Sequence, residues 1–150
     1  MTFINFKFLH VAFMFMGVAL AVGPALLVYL IARSGDAPTV RRVFALAERI
    51  FQISTVCYGL GIAAGFAAAV LVTLDLTAPW LVTAYVLVAL LGADGTLFDR
   101  WTKDVAHGLS GGDTRMDRLR SDRRPAYLLG AMVVLIVAII FVMVTKPSFL

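Results

Sequence analysis

Four long stretches of the chain consist almost wholly of apolar residues, and shorter stretches between them carry most of the charges. The apolar stretches cover residues 8–32, about 51–74, 79–98 and 126–145. A helix needs about 20 residues to cross the roughly 30 Å hydrocarbon core of a bilayer, and each stretch reaches that length. The pattern predicts four transmembrane helices, because a segment in lipid must satisfy its own backbone hydrogen bonds.

Composition supports lipid as the solvent of these helices. Of the 150 residues, 61% are hydrophobic and 15% are charged, whereas soluble domains have about 45–50% and about 25%. We therefore expect one all-α transmembrane domain over residues 1–150, a four-helix bundle. The single cysteine, Cys57, lies inside an apolar stretch and is expected to pack there as a small hydrophobic side chain.

The basic residues are distributed unevenly between the two sides of the predicted membrane. Eleven lie in the first and third connections, and only Lys7 and Lys146 lie on the other side. Lysine and arginine favour cytoplasmic loops, so we expect both termini outside the cytoplasm. Membrane orientation thus explains the formal net charge of +4, and we expect the lipid bilayer as a partner and no nucleic acid. The eleven are Arg33, Arg41, Arg42, Arg49, Arg100, Lys103, Arg115, Arg118, Arg120, Arg123 and Arg124.

Two stripes of apolar residues outside the predicted spans recur at helical spacing. They predict short amphipathic helices on the cytoplasmic interface, the first of which could also lead into the second span. Asp36 is the expected N-cap of the first, and Trp101 in the second is suited to the headgroup level. The stripes are Val40, Val43, Phe44, Ala47 and Ile50, and then Leu97, Phe98, Trp101, Val105 and Leu109.

Small residues follow one face of the second predicted span. Gly61, Gly65 and Ala69 recur every four residues, a spacing that lets another helix backbone approach closely. The partner could be a helix of the same bundle or a second copy of the chain, and the spacing does not separate these alternatives.

His10, near the outer end of the first span, is one candidate for chemistry at membrane depth. Its imidazole could ligate haem iron or copper, and Met14 on the same helix face and Met143 on the fourth span would add the soft ligands that Cu(I) prefers. The favoured alternative is a histidine that hydrogen-bonds a neighbouring helix. The other histidine, His107, falls on the opposite side of the predicted membrane, which disfavours a bis-histidine haem.

Asp94, in Gly92-Ala93-Asp94-Gly95-Thr96, is the second candidate, because ionisable residues within spans usually face protein or water and mark functional sites. It could bind a proton or an ion, with Tyr58, Thr55 or Arg33 as partners. The favoured alternative is that the span ends near Ala93 and that Asp94 begins a turn.

Several short motifs resemble a bacterial protein family. Phe8-Leu9-His10-Val11 opens the first span, Gly17 follows, and Arg41-Arg42 and Ala47-Glu48-Arg49 precede the second. The family consists of small four-helix integral membrane proteins of unknown function, and the resemblance implies a bacterial inner-membrane location. More distantly, the chain is similar to copper-resistance D proteins and to the four-helix, haem-dependent protoporphyrinogen oxidase. It departs from the oxidase because its third span has Asp94 and no lysine.

The functional expectation is accordingly broad. The chain has no P-loop, and histidines on opposite sides of the membrane leave no place for a catalytic triad, so an independent enzyme is not expected. We expect a binding, accessory or small-solute-handling membrane component, with a homo-oligomer or a membrane-complex partner open. The alternative is a haem- or copper-binding redox protein that uses His10.

Overall fold

The computed structural model describes residues 2–34, 36–108 and 121–146 of the chain. Within these residues it has four long helices: α1 is Phe3–Ser34, α2 is Ala37–Leu71, α3 is Pro79–Gly108 and α4 is Arg124–Thr145. Each is long and apolar enough to cross a membrane. The predicted all-helical, multi-pass membrane architecture is therefore confirmed at this level.

The separate amphipathic helices predicted beside the membrane are wrong. Residues 37–50 form the first part of α2, and residues 97–108 form the last part of α3. Neither proline nor glycine occurs between Thr39 and Tyr58 or between Thr96 and His107, so neither residue type interrupts the hydrogen bonding of the two helices. The first stripe leads directly into the second span. This confirms the second of the two alternatives expected for it.

Asp36 is the N-cap of α2, as predicted. Its backbone is extended, and its Oδ1 accepts a hydrogen bond from the Thr39 N–H at 3.0 Å. Hydrogen bonds from the side chain and backbone of Thr39 hold the pKa of Asp36 below its ordinary value. The cap fixes where α2 begins, close behind the end of α1.

The bundle has a basic end, where α1 and α3 finish and α2 and α4 start. The stripe at the start of α2 is largely buried there against protein, and Trp101, at 8% exposed, packs inside the bundle. Its expected place at the headgroup level stays a prediction. The core of this end consists of Ala25, Val28, Ala32, Val40, Phe44, Ala47, Phe98 and Trp101. The charged residues described at the basic end include Arg33, Arg41, Arg42, Glu48, Arg49, Asp99, Arg100, Lys103, Asp122, Arg123 and Arg124.

The opposite end of the bundle carries the short turn between α2 and α3. Asp75 Oδ1 accepts hydrogen bonds from the Thr77 N–H at 2.9 Å and from the Thr77 hydroxyl at 2.6 Å. These bonds lower the pKa of Asp75. Seven residues, 72–78, suffice for this reversal, so α2 and α3 lie antiparallel.

Helices α1 and α2 form the closest pair, because small residues let their backbones approach. His10 of α1 lies against Gly65 of α2, and Gly17 of α1 lies against Tyr58 of α2. The Ser54 hydroxyl donates to the Gly17 carbonyl at 2.8 Å. Residue numbers rise along one helix as they fall along the other, so α1 and α2 are antiparallel too.

Candidate functional site

Asp94 lies near the middle of α3 with its carboxyl group in the protein interior. The residue is 7% exposed, and its Oδ2 is buried with no hydrogen-bond partner in the described part of the chain. The expected turn at Asp94-Gly95 is wrong, because α3 continues to Gly108. Gly95 is accommodated within the helix and no proline follows it in α3, so nothing there ends the helix.

Two of the three partners expected for Asp94 are engaged elsewhere. The Arg33 guanidinium donates to the Tyr29 hydroxyl and lies 5.3 Å from the centre of that ring. The Thr55 hydroxyl donates to the carbonyl of Phe51, one turn back, at 3.0 Å. Each of these side chains hydrogen-bonds within its own helix, and neither is paired with Asp94.

The third expected partner, Tyr58, lies at nearly the same depth as Asp94. Two aromatic contacts set the register of α2 against α3 and bring Tyr58 level with residues 91–93. At 1.5 Å per residue, Asp94 is then about 2–5 Å away along the bundle axis. The contacts are Phe66 with Tyr85, with ring centres 5.6 Å apart, and Phe51 with Phe98, with ring centres 5.9 Å apart.

The Tyr58 hydroxyl shares the unsatisfied state of Asp94. In the described residues these two groups supply the only buried side-chain oxygens that lack a hydrogen-bond partner. The Tyr58 ring packs against α1, where a Cβ atom added to Gly17 would lie 3.1 Å from it. Buried polar groups are normally paired. The unpaired Tyr58 hydroxyl and Asp94 carboxyl, from residues at similar depth, therefore mark a candidate functional site.

His10 is tied to α2 by its ring. Nδ1 lies 2.7 Å from the carbonyl oxygen of Gly61. A carbonyl only accepts hydrogen bonds, so we assign the ring proton to Nδ1, and Nε2 of the neutral ring keeps its lone pair. This is the bond to a neighbouring helix that was the favoured expectation. It also matches the way in which metal-ligating histidines are held, with one nitrogen donating to a carbonyl and the other free.

The methionines expected near His10 are half-buried. Met14, one turn along α1, lies so close to α2 that a Cβ atom added to Gly61 would be 2.9 Å from its Sδ. Met143 lies in the last turn of α4. Among the described residues, no three His, Cys, Asp or Glu side chains gather as a metal site. A metal or haem at His10 would therefore depend on Nε2 and on methionine sulfur.

The small residues of α2 face α1 within the same chain. An added Cβ at Gly65 would lie 2.7 Å from Nδ1 of His10, and one at Gly61 would meet Met14. Ala69 is half-buried at the end of the row. A homodimer formed through Gly61 and Gly65 would have to displace α1. Cys57 is also buried in α2, at 5% exposed.

An aromatic cluster near Asp94 is the feature that sequence reasoning missed. We use this name for Phe44, Phe51, Phe98 and Trp101, whose rings contact one another at centre distances of 5.6–5.9 Å. Sequence reasoning assigned these rings to spans and interfacial stripes. Their helical spacing indicated buried faces, but only the register of α2 against α3 brings the faces together.

Residues 108–112 have a Gly-x-Ser-x-Gly spacing like that of the nucleophile elbow of hydrolases. Only Gly108 is among the described residues. The elbow joins a strand to a helix, whereas here the spacing follows the 30-residue helix α3. Its structural context therefore does not indicate a serine nucleophile.

The protein was also compared with family models, curated proteins and solved structures, and none of them matches it.

Proposed function

We propose that this chain is a small-solute-handling membrane protein and that the solute is a proton exchanged at Asp94. The observation that carries the proposal is the burial of an unpaired carboxyl group within an apolar helix. An ionised side chain at the centre of a transmembrane helix costs about 2.5–3.5 kcal/mol by insertion scales, and such residues commonly form proton relays. A carboxyl group with no structural partner contributes little to folding, which favours a chemical role.

Tyr58 is the second member of the proposed site. Its hydroxyl is buried and unpaired, and by the register of α2 against α3 residue 58 lies at nearly the depth of Asp94. A phenol both donates and accepts hydrogen bonds, so it can pass a proton to a carboxylate directly or through a water molecule. Packing against Gly17 fixes the ring and limits where its hydroxyl can reach.

Purified protein in liposomes tests the proposal. With a pH gradient imposed and a pH-sensitive dye inside, we expect the wild type to conduct protons and Asp94→Asn to lose that flux. Asn keeps the size of the side chain and removes the titrating group. Asp99→Asn is the matched control, because Asp99 is a carboxylate of the same helix that pairs with Lys103 at 2.7 Å. Equal flux in the wild type and Asp94→Asn, or no flux above that of empty liposomes, would contradict the proposal.

A haem- or copper-binding redox role at His10 is the second candidate. The bond from Nδ1 to Gly61 favours it, because it orients the ring and leaves Nε2 as a ligand. Haem or copper would supply one-electron chemistry there, with Met14, one turn along α1 from His10, and Met143 of α4 as the candidate soft ligands.

A visible spectrum and metal analysis of the purified protein test this second candidate. We expect a Soret band or stoichiometric copper that is lost in His10→Ala and kept in His107→Ala, which removes the other histidine. A colourless, copper-free protein after growth with added haem precursor and copper would exclude the role.

For the cellular setting, we propose a bacterial inner membrane with both termini on the outer face. The charge asymmetry of the full sequence and the resemblance to the small four-helix family support this placement. Lipid would cover the apolar outer faces, and a second copy or another membrane protein could share them. A periplasm-active reporter fused after Leu150 should be active, and a cytosolic result would reverse the orientation.

A further inference from the structure

A cavity of about 290 Å³ lies at the basic end, between the start of α2 and the end of α3. Its walls combine charged, hydroxyl and apolar side chains, namely Arg41, Phe44, Ala45, Glu48, Thr102, Lys103 and Ala106. Arg41 and Lys103 are exposed, so the cavity borders on solvent. We call it the basic-end cavity.

One face of α3 connects this cavity to the proposed proton site. Asp94, Phe98 and Thr102 are spaced four residues apart, which places them on one helix face at steps of about 6 Å. All three are buried, at 7%, 1% and 3% exposed. Thr102 lines the cavity, and Phe98 lies between Thr102 and Asp94 on this helix face.

The aromatic cluster holds Phe98 in this position. The Phe98 ring packs edge-on to Phe51 and is tilted against Trp101. Trp101 contacts Phe44, which itself lines the cavity. In channels, hydrophobic constrictions act as gates by excluding water from the passage.

A hydrogen bond ties the aromatic cluster to Asp122, which lies just before α4. The Trp101 Nε1–H donates to Asp122 Oδ2 at 3.0 Å, while Asp122 Oδ1 accepts from the Arg124 N–H at 2.9 Å. Asp122 thus joins the cluster to the first turn of α4. A movement of the first turn of α4 would therefore be transmitted to Trp101 through Asp122.

We propose that the aromatic cluster is a gate between Asp94 and the basic-end cavity. The cavity is then the vestibule through which Asp94 exchanges protons. The hydrogen bond from Trp101 to Asp122 keeps the gate closed. The inference rests on the proposed role of Asp94. It adds the side from which the carboxyl group is reached and the residues that control access.

Thiol accessibility tests the gate without relying on proton flux. In a Cys57→Ala background, which removes the native thiol, Asp94→Cys is treated with a membrane-impermeant cationic methanethiosulfonate from either side of oriented vesicles. We expect slow modification from both sides. Adding Phe98→Ala should speed modification from the basic end by about tenfold or more, the change that about 1.4 kcal/mol of lost gate stability produces.

Three further variants complete the test. Thr102→Cys should react faster than Asp94→Cys from the basic end with Phe98 intact, because Thr102 lines the vestibule. Trp101→Phe keeps a ring but loses the bond to Asp122, so it should give a smaller increase at Asp94→Cys and serves if Phe98→Ala does not fold. Leu97→Ala is the matched control: Leu97 is 51% exposed, and its truncation should leave the rate unchanged.

Equal modification rates with Phe98 intact and truncated, in folded protein, would overturn the gate. So would faster access from the opposite end after truncation. Failure of the proposed function is a different result, namely unchanged proton flux in Asp94→Asn, so the two hypotheses fail separately.

Discussion

Asp94 is the residue on which the functional account depends. Its carboxyl group has a desolvated oxygen and no compensating hydrogen bond in the described structure. Leaving a buried polar group unsatisfied costs about 1–3 kcal/mol. A residue of this kind lowers stability, and such costs are characteristic of functional sites.

Asp94→Leu should therefore stabilise the protein while it abolishes proton flux. Leucine has the same branching and the same number of side-chain heavy atoms as aspartate but no polar atom, so it removes the cost of the unsatisfied oxygen, about 1–3 kcal/mol. Thermal unfolding in detergent measures the change, and Leu97→Ala reports the effect of altering the lipid-facing side of the same helix. A marked loss of stability in Asp94→Leu would show that the carboxyl group is structural.

The sequence alone identifies Asp94 as a candidate, but it does not identify the side chains around it. An ionisable group within an apolar stretch was visible, as were His10 and the small residues of α2. Which side chains surround Asp94 depends on the rotation and register of α2 against α3, which the sequence pattern does not determine. Arg33 and Thr55 were plausible partners by depth, yet each hydrogen-bonds within its own helix.

At the scale of the helix, the pair formed by α1 and α2 has the tightest packing constraint. Its glycines differ sharply in their surroundings. A Cβ atom added to Gly65 would lie 2.7 Å from the His10 ring, whereas one added to Gly59 has nothing within 4 Å. The same substitution should thus have opposite effects at two positions of α2.

Gly65→Ala should destabilise the bundle by about 1–3 kcal/mol, the usual cost of overpacking. It should also displace the His10 ring from the Gly61 carbonyl. Gly59→Ala should be neutral or stabilising by up to about 1 kcal/mol, because alanine favours the helix. Thermal unfolding of the two variants side by side measures this, and equal effects would contradict the described packing.

The N-cap of α2 gives an element-level dependence on pH. Hydrogen bonds from Thr39 lower the pKa of Asp36 in the folded protein, so the folded state favours the carboxylate. The stabilisation is complete above the ordinary pKa of 3.8 and is lost as the pH falls through the lowered folded value.

Asp36→Ala should accordingly unfold at a lower temperature than the wild type at neutral pH. The difference should shrink as the sample is acidified below pH 3.8, the ordinary pKa, since the protonated wild-type side chain caps less well. Asp36→Asn, which caps without titrating, is the control. A difference that is constant with pH would contradict the role of the carboxylate.

The ends of the helices show that a hydrophobic pattern predicts the membrane-spanning part of a helix better than it predicts where the helix begins and ends. The apolar stretches have about the length of a hydrocarbon core, whereas α2 and α3 continue beyond these stretches at the basic end. At 1.5 Å per residue, the 35 residues of α2 span about 52 Å, well beyond a hydrocarbon core of about 30 Å. The stripe from Val40 to Ala47 was predicted to face the membrane interface, yet it packs against α1 and α3.

For the whole molecule, four helices that are apolar enough to cross a membrane hold Tyr58 and Asp94, the residues with unpaired buried oxygens, at nearly the same depth. The basic-end core lies on one side of these two residues, and the α1–α2 contacts with His10 and Met14 lie on the other. This arrangement suits a carboxyl group that is shielded from water most of the time and that a proton reaches at intervals.

Infrared difference spectroscopy during a pH change tests the central claim most directly, because it observes protonation of the carboxyl group itself. The account predicts a band of a protonated carboxyl that changes with pH, shifts in heavy water, disappears in Asp94→Asn and remains in Asp99→Asn. An identical difference spectrum in Asp94→Asn and the wild type would show that Asp94 does not exchange a proton.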